Sequence, residues 1–110
     1  MNRWDVVFLR TEEKERDGHP AVVLSPPDIL DDPKQQRFNV VLGTKKQPAE
    51  QARGHHVILD EADGLEFPTL VDCSLVYVAR KVSVLRSSGS VTVHRRQQIQ
   101  RLLRGYLGLG

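Results

Sequence analysis

The chain is dominated by short apolar runs rich in valine, most of them too short to form a buried helix. Six such runs occur, at residues 4–9, 21–25, 38–43, 56–60, 69–80 and 81–86. They are separated by turn-forming residues, among them Asp17-Gly18, Pro26-Pro27 and Asp63-Gly64. Valine-rich runs of this length favour β-strands, and short strands joined by turns are typical of small barrels and sandwiches. The sequence therefore predicts a mainly β fold, in which the run 69–80 forms either one bent strand or two.

A different periodicity marks the C-terminal segment. Five apolar residues follow the spacing i, i+3, i+4, i+7 and i+8, namely Ile99, Leu102, Leu103, Tyr106 and Leu107. This spacing is that of one face of an α-helix, which we expect to pack across one end of the β domain. Ser90 or Thr92 is placed to cap the start of this helix. We expect the opposite helix face to be solvated, and it carries Arg95, Gln98, Arg101 and Arg104.

Charges are distributed unevenly along the 110 residues. All 14 acidic residues lie in residues 1–72, whereas residues 73–110 contain seven arginine or lysine residues and no acid. A basic segment in a small domain indicates an anionic partner, either a nucleic acid or an acidic peptide. Two other interpretations stay open: the acidic half neutralises these charges within the fold, or the arginines form a solvated helix face.

Several common classes of protein do not fit the sequence. The single cysteine, Cys73, is typical of a reducing cytoplasm and is expected to be a buried, unreactive thiol. No segment reaches the roughly 18 apolar residues of a membrane span, and the run at 6–9 is too short for a signal peptide. The spacing of metal ligands, a nucleophile elbow and a glycine-rich phosphate loop are all missing. We therefore expect a cytoplasmic single domain over residues 1–110, without membrane contact, metal or other cofactor.

One kind of chemistry needs neither a metal nor a nucleophilic side chain. In RNA the 2′-hydroxyl of the substrate is the nucleophile, so the protein must supply a base, an acid and donors around the phosphate. Histidine suits either proton transfer, and lysine, arginine and threonine suit the phosphate contact. His19 and the group Thr44-Lys45-Lys46 each stand where a loop meets an apolar run. If those runs form neighbouring strands, these side chains meet at one end of the sheet.

Three segments precede the C-terminal helix in a characteristic order: WDVVFLRTEEKERDGHPAVVLSPPD at 4–28, FNVVLGTKK at 38–46, and HHVILDEADGLEFPTLVDCS at 55–74. In this order they resemble the PemK/MazF toxin family over essentially the whole chain. The resemblance implies an SH3-like small barrel with a C-terminal amphipathic α-helix, usually as a homodimer. It also implies the toxin of a toxin–antitoxin system, a growth inhibitor that cleaves single-stranded RNA without metal. Its partner would be a cognate antitoxin with an acidic disordered tail.

Individual residues match the resemblance unevenly. Thr44 stands where the family has a threonine that contacts the scissile phosphate. Pro20 matches the proline after the family's catalytic arginine, but His19 replaces that arginine. A histidine exchanges protons near neutral pH, whereas an arginine keeps its charge. The resemblance thus implies His19 and Thr44 as catalytic residues, and RNA or antitoxin contacts from Arg16, Lys45, Lys46 and Arg53.

Departures from the family pattern leave other functions open. The arginine is missing at position 19, and the family's acidic-Gln pair is missing from Cys73-Ser74-Leu75. A catalytically degenerate barrel that binds protein or nucleic acid fits the same sequence, as does a toxin that acts on a protein target. His19 also fits a plain turn before a strand, and Trp4 fits core packing better than RNA stacking. We expect His55 to end a loop and His56 to start a strand; if both were on a strand, their side chains would point to opposite faces.

Overall fold

The computed structural model describes residues 1–12, 16–44 and 49–110. Within these ranges the strands and α-helices are β1 (Asp5–Leu9), β2 (His19–Val23), α1 (Pro27–Leu30), β3 (Arg37–Thr44), β4 (His56–Leu59), β5 (Thr69–Asp72), β6 (Tyr77–Arg80), β7 (Val84–Ser90) and α2 (Val93–Leu107). Short 3-10 helices lie at Ala49–Gln51, Glu61–Asp63 and Lys81–Ser83. The predicted mainly β fold with a C-terminal helix is thereby confirmed.

The described strands form one antiparallel sheet in the order β4-β5-β3-β2-β1-β7, with β6 paired to β3 outside this path. The eight-residue strand β3 is its centre, because it pairs with β2, β5 and β6. Its middle pairs with β2 through Ala21 and Leu42, and its end pairs with β5 through Gly43 and Val71. The sheet curls into a half-barrel, so the predicted barrel-like architecture is also confirmed.

Both faces of the sheet are covered by apolar side chains. In β2, Val22 belongs to a core cluster that includes Ile99 of α2, whereas Val23 belongs to a second cluster. Ile29 and Leu30 of α1 pack against that second cluster. Successive strand residues point to opposite faces, so a strand buried on both faces needs no polar alternation. This explains the almost continuous apolar runs in the sequence.

The run at 69–80 divides into two strands, which settles the alternative that the sequence left open. Asp72, the last residue of β5, accepts hydrogen bonds through Oδ1 from the backbone N–H and the hydroxyl of Ser74, at 2.9 and 2.6 Å. An aspartate that bonds the backbone two residues ahead closes a turn and interrupts the ladder. The run at 81–86 divides as well, because residues 81–83 form a 3-10 helix and β7 begins at Val84.

β7 extends through a polar segment to Ser90, beyond the apolar run that the sequence indicates. It pairs with β1 as far as Asp5 opposite Ser90. The loop containing Gly64 packs directly on its backbone. A Cβ atom at Gly64 would lie 2.3 Å from the carbonyl oxygen of Ser88, and Gly64 has φ of +91°. Only glycine adopts this conformation and this approach without strain.

Helix α2 buries only part of its apolar stripe. Ile99 is fully buried and Leu102 and Leu103 are partly buried, but Tyr106 and Leu107 remain 53% and 50% exposed. The expectation that all five residues pack on the β domain is therefore wrong for the last turn. Within the described ranges, neither α-helix has the length and apolar character needed to span a membrane.

Arg95, on the other face of α2, is not solvated as the sequence suggested. Its guanidinium donates to both carboxylate oxygens of Asp60, at 2.6 and 2.9 Å, and to Oδ2 of Asp63. Asp63 is fully buried, and its Oδ1 accepts the backbone N–H of Thr92 at 2.9 Å. Thr92 occupies the N-cap position, but its side chain makes no capping hydrogen bond. The acidic half of the chain thus neutralises part of the basic half.

Candidate functional site

The end of β3 opens onto a concave surface of about 810 Å³, here called the β3 groove. Its lining residues are Leu42, Gly43, Thr44, Gln51, Arg53, His55, His56, Leu70 and Asp72. Thr44 and Arg53, both expected from the sequence to contact RNA, lie on this one surface. The groove therefore combines a hydroxyl, a guanidinium, two imidazoles and a carboxylate.

The groove is one face of the three strands β3, β5 and β4. Thr44 pairs with Leu70, and His56 pairs with Asp72. Directly paired residues in an antiparallel sheet point to the same face. The neighbouring residue Val71 points the other way and is buried in the core with α2. Because side chains alternate along each strand, the polar ones lie in the groove and the valines lie in the core.

His19 lies on β2, the strand next to β3, and is not among the residues that line the groove. β2 and β3 pair through Ala21 and Leu42, and continuing that register by two residues places His19 opposite Thr44. Directly opposite residues in an antiparallel pair have Cβ atoms about 4.5–5.5 Å apart. A Cβ atom at Gly43 would lie 3.3 Å from the carbonyl oxygen of Pro20, which supports the same register. β2 and β3 are therefore neighbouring strands, as the sequence argument for a shared site requires.

The rings of His55 and His56 contact each other at a tilt, which the sequence did not predict. His56 begins β4 as expected, but His55 lies in the preceding turn and not on the strand. The two ring centroids are 4.0 Å apart, with the planes tilted by 46°. Both placements agree with the expectation that His55 ends a loop and His56 starts a strand, so the alternation of side chains along a strand does not apply to this pair.

His56 is held by its own backbone turn. The backbone N–H of Arg53 donates to Nδ1 of His56 at 3.0 Å. This bond requires an unprotonated Nδ1, so it stabilises the neutral imidazole with its proton on Nε2. Burial lowers the pKa of His56 below its usual range, and His55 lowers it further, while the Asp72 carboxylate acts in the opposite direction. His56 is therefore a neutral hydrogen-bond donor at physiological pH.

Asp72 supplies the negative charge of the groove. Burial alone would raise the pKa of this carboxyl, but the hydrogen bonds from Ser74 and the nearby His55 and His56 lower it. The carboxylate therefore stays ionised beside the two imidazoles. In the described part of the chain, no group of three or more His, Cys, Asp or Glu side chains is arranged to hold a metal ion.

The other residues expected at the site are distributed differently. Arg16 is exposed in the segment before β2 and does not line the groove. Lys45 and Lys46 lie outside the described residues.

Cys73 is 0% exposed, and burial raises the pKa of its thiol to about 12, so it is unsuited to nucleophilic chemistry. Trp4 is 9% exposed and belongs to the core, as predicted.

Sequence reasoning missed the contribution of three groove residues. The sequence pattern assigns no site role to His55 or His56, and Asp72 stands within an apolar run. A usable signal was present, since alternation along HVIL and TLVD sets His56 and Asp72 on the face opposite to the buried valines. The pairing of β4 with β5, which joins these residues, is not encoded in any local pattern.

No protein-family model matches the chain, and no curated protein matches it either. Solved structures do match, over nearly its whole length. The Mycobacterium tuberculosis toxin MazF-mt6 has a TM-score of 0.75 at 14% identity, covering 96% of this chain and 98% of the toxin. An endoribonuclease solved with its cognate antitoxin, from a mycobacterial species, has a TM-score of 0.80 at 17% identity, with 100% and 97% covered. The MazE–MazF structure from Deinococcus radiodurans gives 0.77 at 15% identity, with 100% and 98% covered.

These structures share the architecture described above. Identities of 14–17% carry information on the fold and not on individual residues or activity. The match agrees with the resemblance found in the order of the sequence segments. The chain therefore has the fold of the MazF toxins.

Proposed function

We propose that this protein is a toxin of a toxin–antitoxin system that binds single-stranded RNA in the β3 groove and cleaves it without a metal ion. The observation that carries the proposal is the pairing of β2 with β3 in a MazF-type fold, because its register, continued by two residues, would place His19 opposite Thr44. The groove also presents Arg53, and its polar groups suit an anionic, extended ligand. The fold and the site chemistry thus support the same activity.

The chemistry follows from the substrate's own nucleophile. The 2′-hydroxyl attacks the adjacent phosphorus once its proton is removed, and the 5′-oxygen leaves once it is protonated. The imidazole of His19 is suited to one of these proton transfers. The hydroxyl of Thr44 donates to a non-bridging phosphate oxygen, and the guanidinium of Arg53 neutralises the phosphate.

The same groove is proposed to bind an antitoxin. One matching structure is an endoribonuclease in complex with its cognate antitoxin. An acidic, disordered tail would be attracted to Arg53 and to the basic segment 73–110, and it would exclude RNA from Thr44. We further propose a homodimer, for which a mass of twice 12.5 kDa by light scattering is the expected result.

The proposed activity is tested with purified protein and a mixed-sequence single-stranded RNA in EDTA. Wild-type protein is expected to cut the RNA at a limited set of sites, and the His19→Ala, Thr44→Ala double variant to leave it intact. Identical cleavage patterns from both proteins would remove the catalytic assignment. Salt-dependent RNA binding without any cleavage by wild type would instead support a catalytically degenerate binding module.

A further inference from the structure

We propose that His55 is a second proton-transfer residue of the β3 groove, acting as the general acid, with His56 as the residue that positions it. This inference rests on the proposed function. Metal-free RNA cleavage needs an acid as well as a base, on opposite sides of the phosphorus. His19 supplies only one of the two.

The arrangement of strands puts two imidazole-bearing segments on either side of Thr44. In the sheet order, β2 with His19 lies on one side of β3, and β5 and β4 lie on the other. Three strand spacings of about 4.8 Å separate β2 from β4, or about 14 Å in total. A gap of this size could accommodate two imidazole side chains with a phosphate between them, and Thr44 lies on the strand between β2 and β5.

Of the two histidines, His55 is the better candidate for the general acid. His56 already accepts the Arg53 N–H through Nδ1, so protonating it would break that hydrogen bond. His55 is half-buried and lines the groove, and its backbone carbonyl accepts the N–H of Cys73 at 2.8 Å, which fixes the turn against the end of β5. Its ring contacts the tilted ring of His56, and Asp72 provides a counter-charge for a protonated imidazole.

The proposed step balances in protons and bonds. The neutral imidazole of His19 accepts the proton of the 2′-hydroxyl as the 2′-oxygen bonds to phosphorus. The imidazolium of His55 donates its proton to the 5′-oxygen as the bond between phosphorus and that oxygen breaks. The products are a 2′,3′-cyclic phosphate and a 5′-hydroxyl. His19 is left protonated and His55 neutral, and proton exchange with water restores both.

The test uses an oligonucleotide that contains one mapped cleavage site, with either oxygen or sulfur as the 5′-bridging atom. A thiolate leaves without protonation, so a missing general acid slows only the oxygen substrate. His55→Ala is expected to slow the oxygen substrate about 100-fold and the sulfur substrate less than about 3-fold. His19→Ala is expected to slow both substrates alike. His94→Ala, an exposed histidine of α2 outside the groove, is the matched control and is expected to change neither rate.

The outcomes separate the inference from the proposed function. If wild type cuts the RNA and His55→Ala either cuts it as fast or slows both substrates equally, His55 is not the acid. If wild type leaves all single-stranded RNA intact, the proposed function is wrong and the inference falls with it. His55→Gln is measured alongside, with thermal melting, so that a folding defect in one variant is recognised. His56→Asn keeps an acceptor for the Arg53 N–H and is expected to retain activity that His56→Ala loses.

Discussion

Replacing Asp63 with alanine is expected to lower the free energy of unfolding by about 3–5 kcal/mol. Asp63 is 0% exposed, and its carboxylate accepts the backbone N–H groups of Asp60 and Thr92, at 3.0 and 2.9 Å. Each buried donor left without an acceptor costs about 1–3 kcal/mol. The side chain of Arg95 is 24% exposed and keeps Asp60 as a partner. Loss of the Arg95–Asp63 ion pair therefore contributes less than about 1 kcal/mol to this destabilisation.

The measurement is urea unfolding at neutral pH, monitored by far-ultraviolet circular dichroism. The dependence of the unfolding free energy on urea concentration is compared between variants. Glu61→Ala is the matched control, because Glu61 is an exposed acid in the same 3-10 helix. A surface change of this kind is expected to stay within about 0.5 kcal/mol of wild type. If Asp63→Ala loses no more than Glu61→Ala, the assignment of Asp63 as the buried link between this helix and α2 is wrong.

Three further predictions concern ionisation and backbone geometry. The hydrogen bond from Arg95 lowers the pKa of Asp60 from 3.8 to about 2, so the stability it contributes is complete above pH 4 and lost as pH falls towards 2. Arg95→Ala should lack this component in unfolding measured from pH 5 to 2. Cys73 should react with a thiol reagent at pH 8 only after unfolding, since its thiol is buried with a pKa of about 12; fast reaction of the native protein would contradict this. Gly64→Ala should destabilise by more than about 2 kcal/mol in urea, whereas Gly105→Ala, where a Cβ meets nothing within 4 Å, should be neutral or stabilising.

Most of the strands were predictable because burial on both faces leaves valine-rich runs between turn residues. The polar part of β7 was not predictable, since Ser87, Ser88 and Gly89 have low strand propensity and are ordered by pairing with β1 and by the loop at Gly64. The ion pair of Arg95 was also hidden, because it joins residues about 30 positions apart in sequence. Tertiary context therefore decided the features that local patterns could not.

The candidate site was predictable only in part. The sequence indicated Thr44 and His19 as site residues because both stand where a loop meets a strand, in segments whose order resembles the PemK/MazF family. Their adjacency depends on the pairing of β2 with β3. The contact between the rings of His55 and His56 depends on a turn held by the Arg53 N–H, which no spacing rule encodes. The placement of Asp72 beside them depends on the register between β4 and β5.

The pairing of β1 with β7 has a consequence for how the molecule is made. β1 finds its partner β7 only in residues 84–90, and Asp5 pairs with Ser90 across most of the chain. Closing so long a loop is entropically costly and slow, and it requires both strands to be outside the ribosome. All groove residues precede β7, so they are synthesised before the sheet that supports them is complete. The β3 groove therefore reaches its final form only after residues 84–90 have been made.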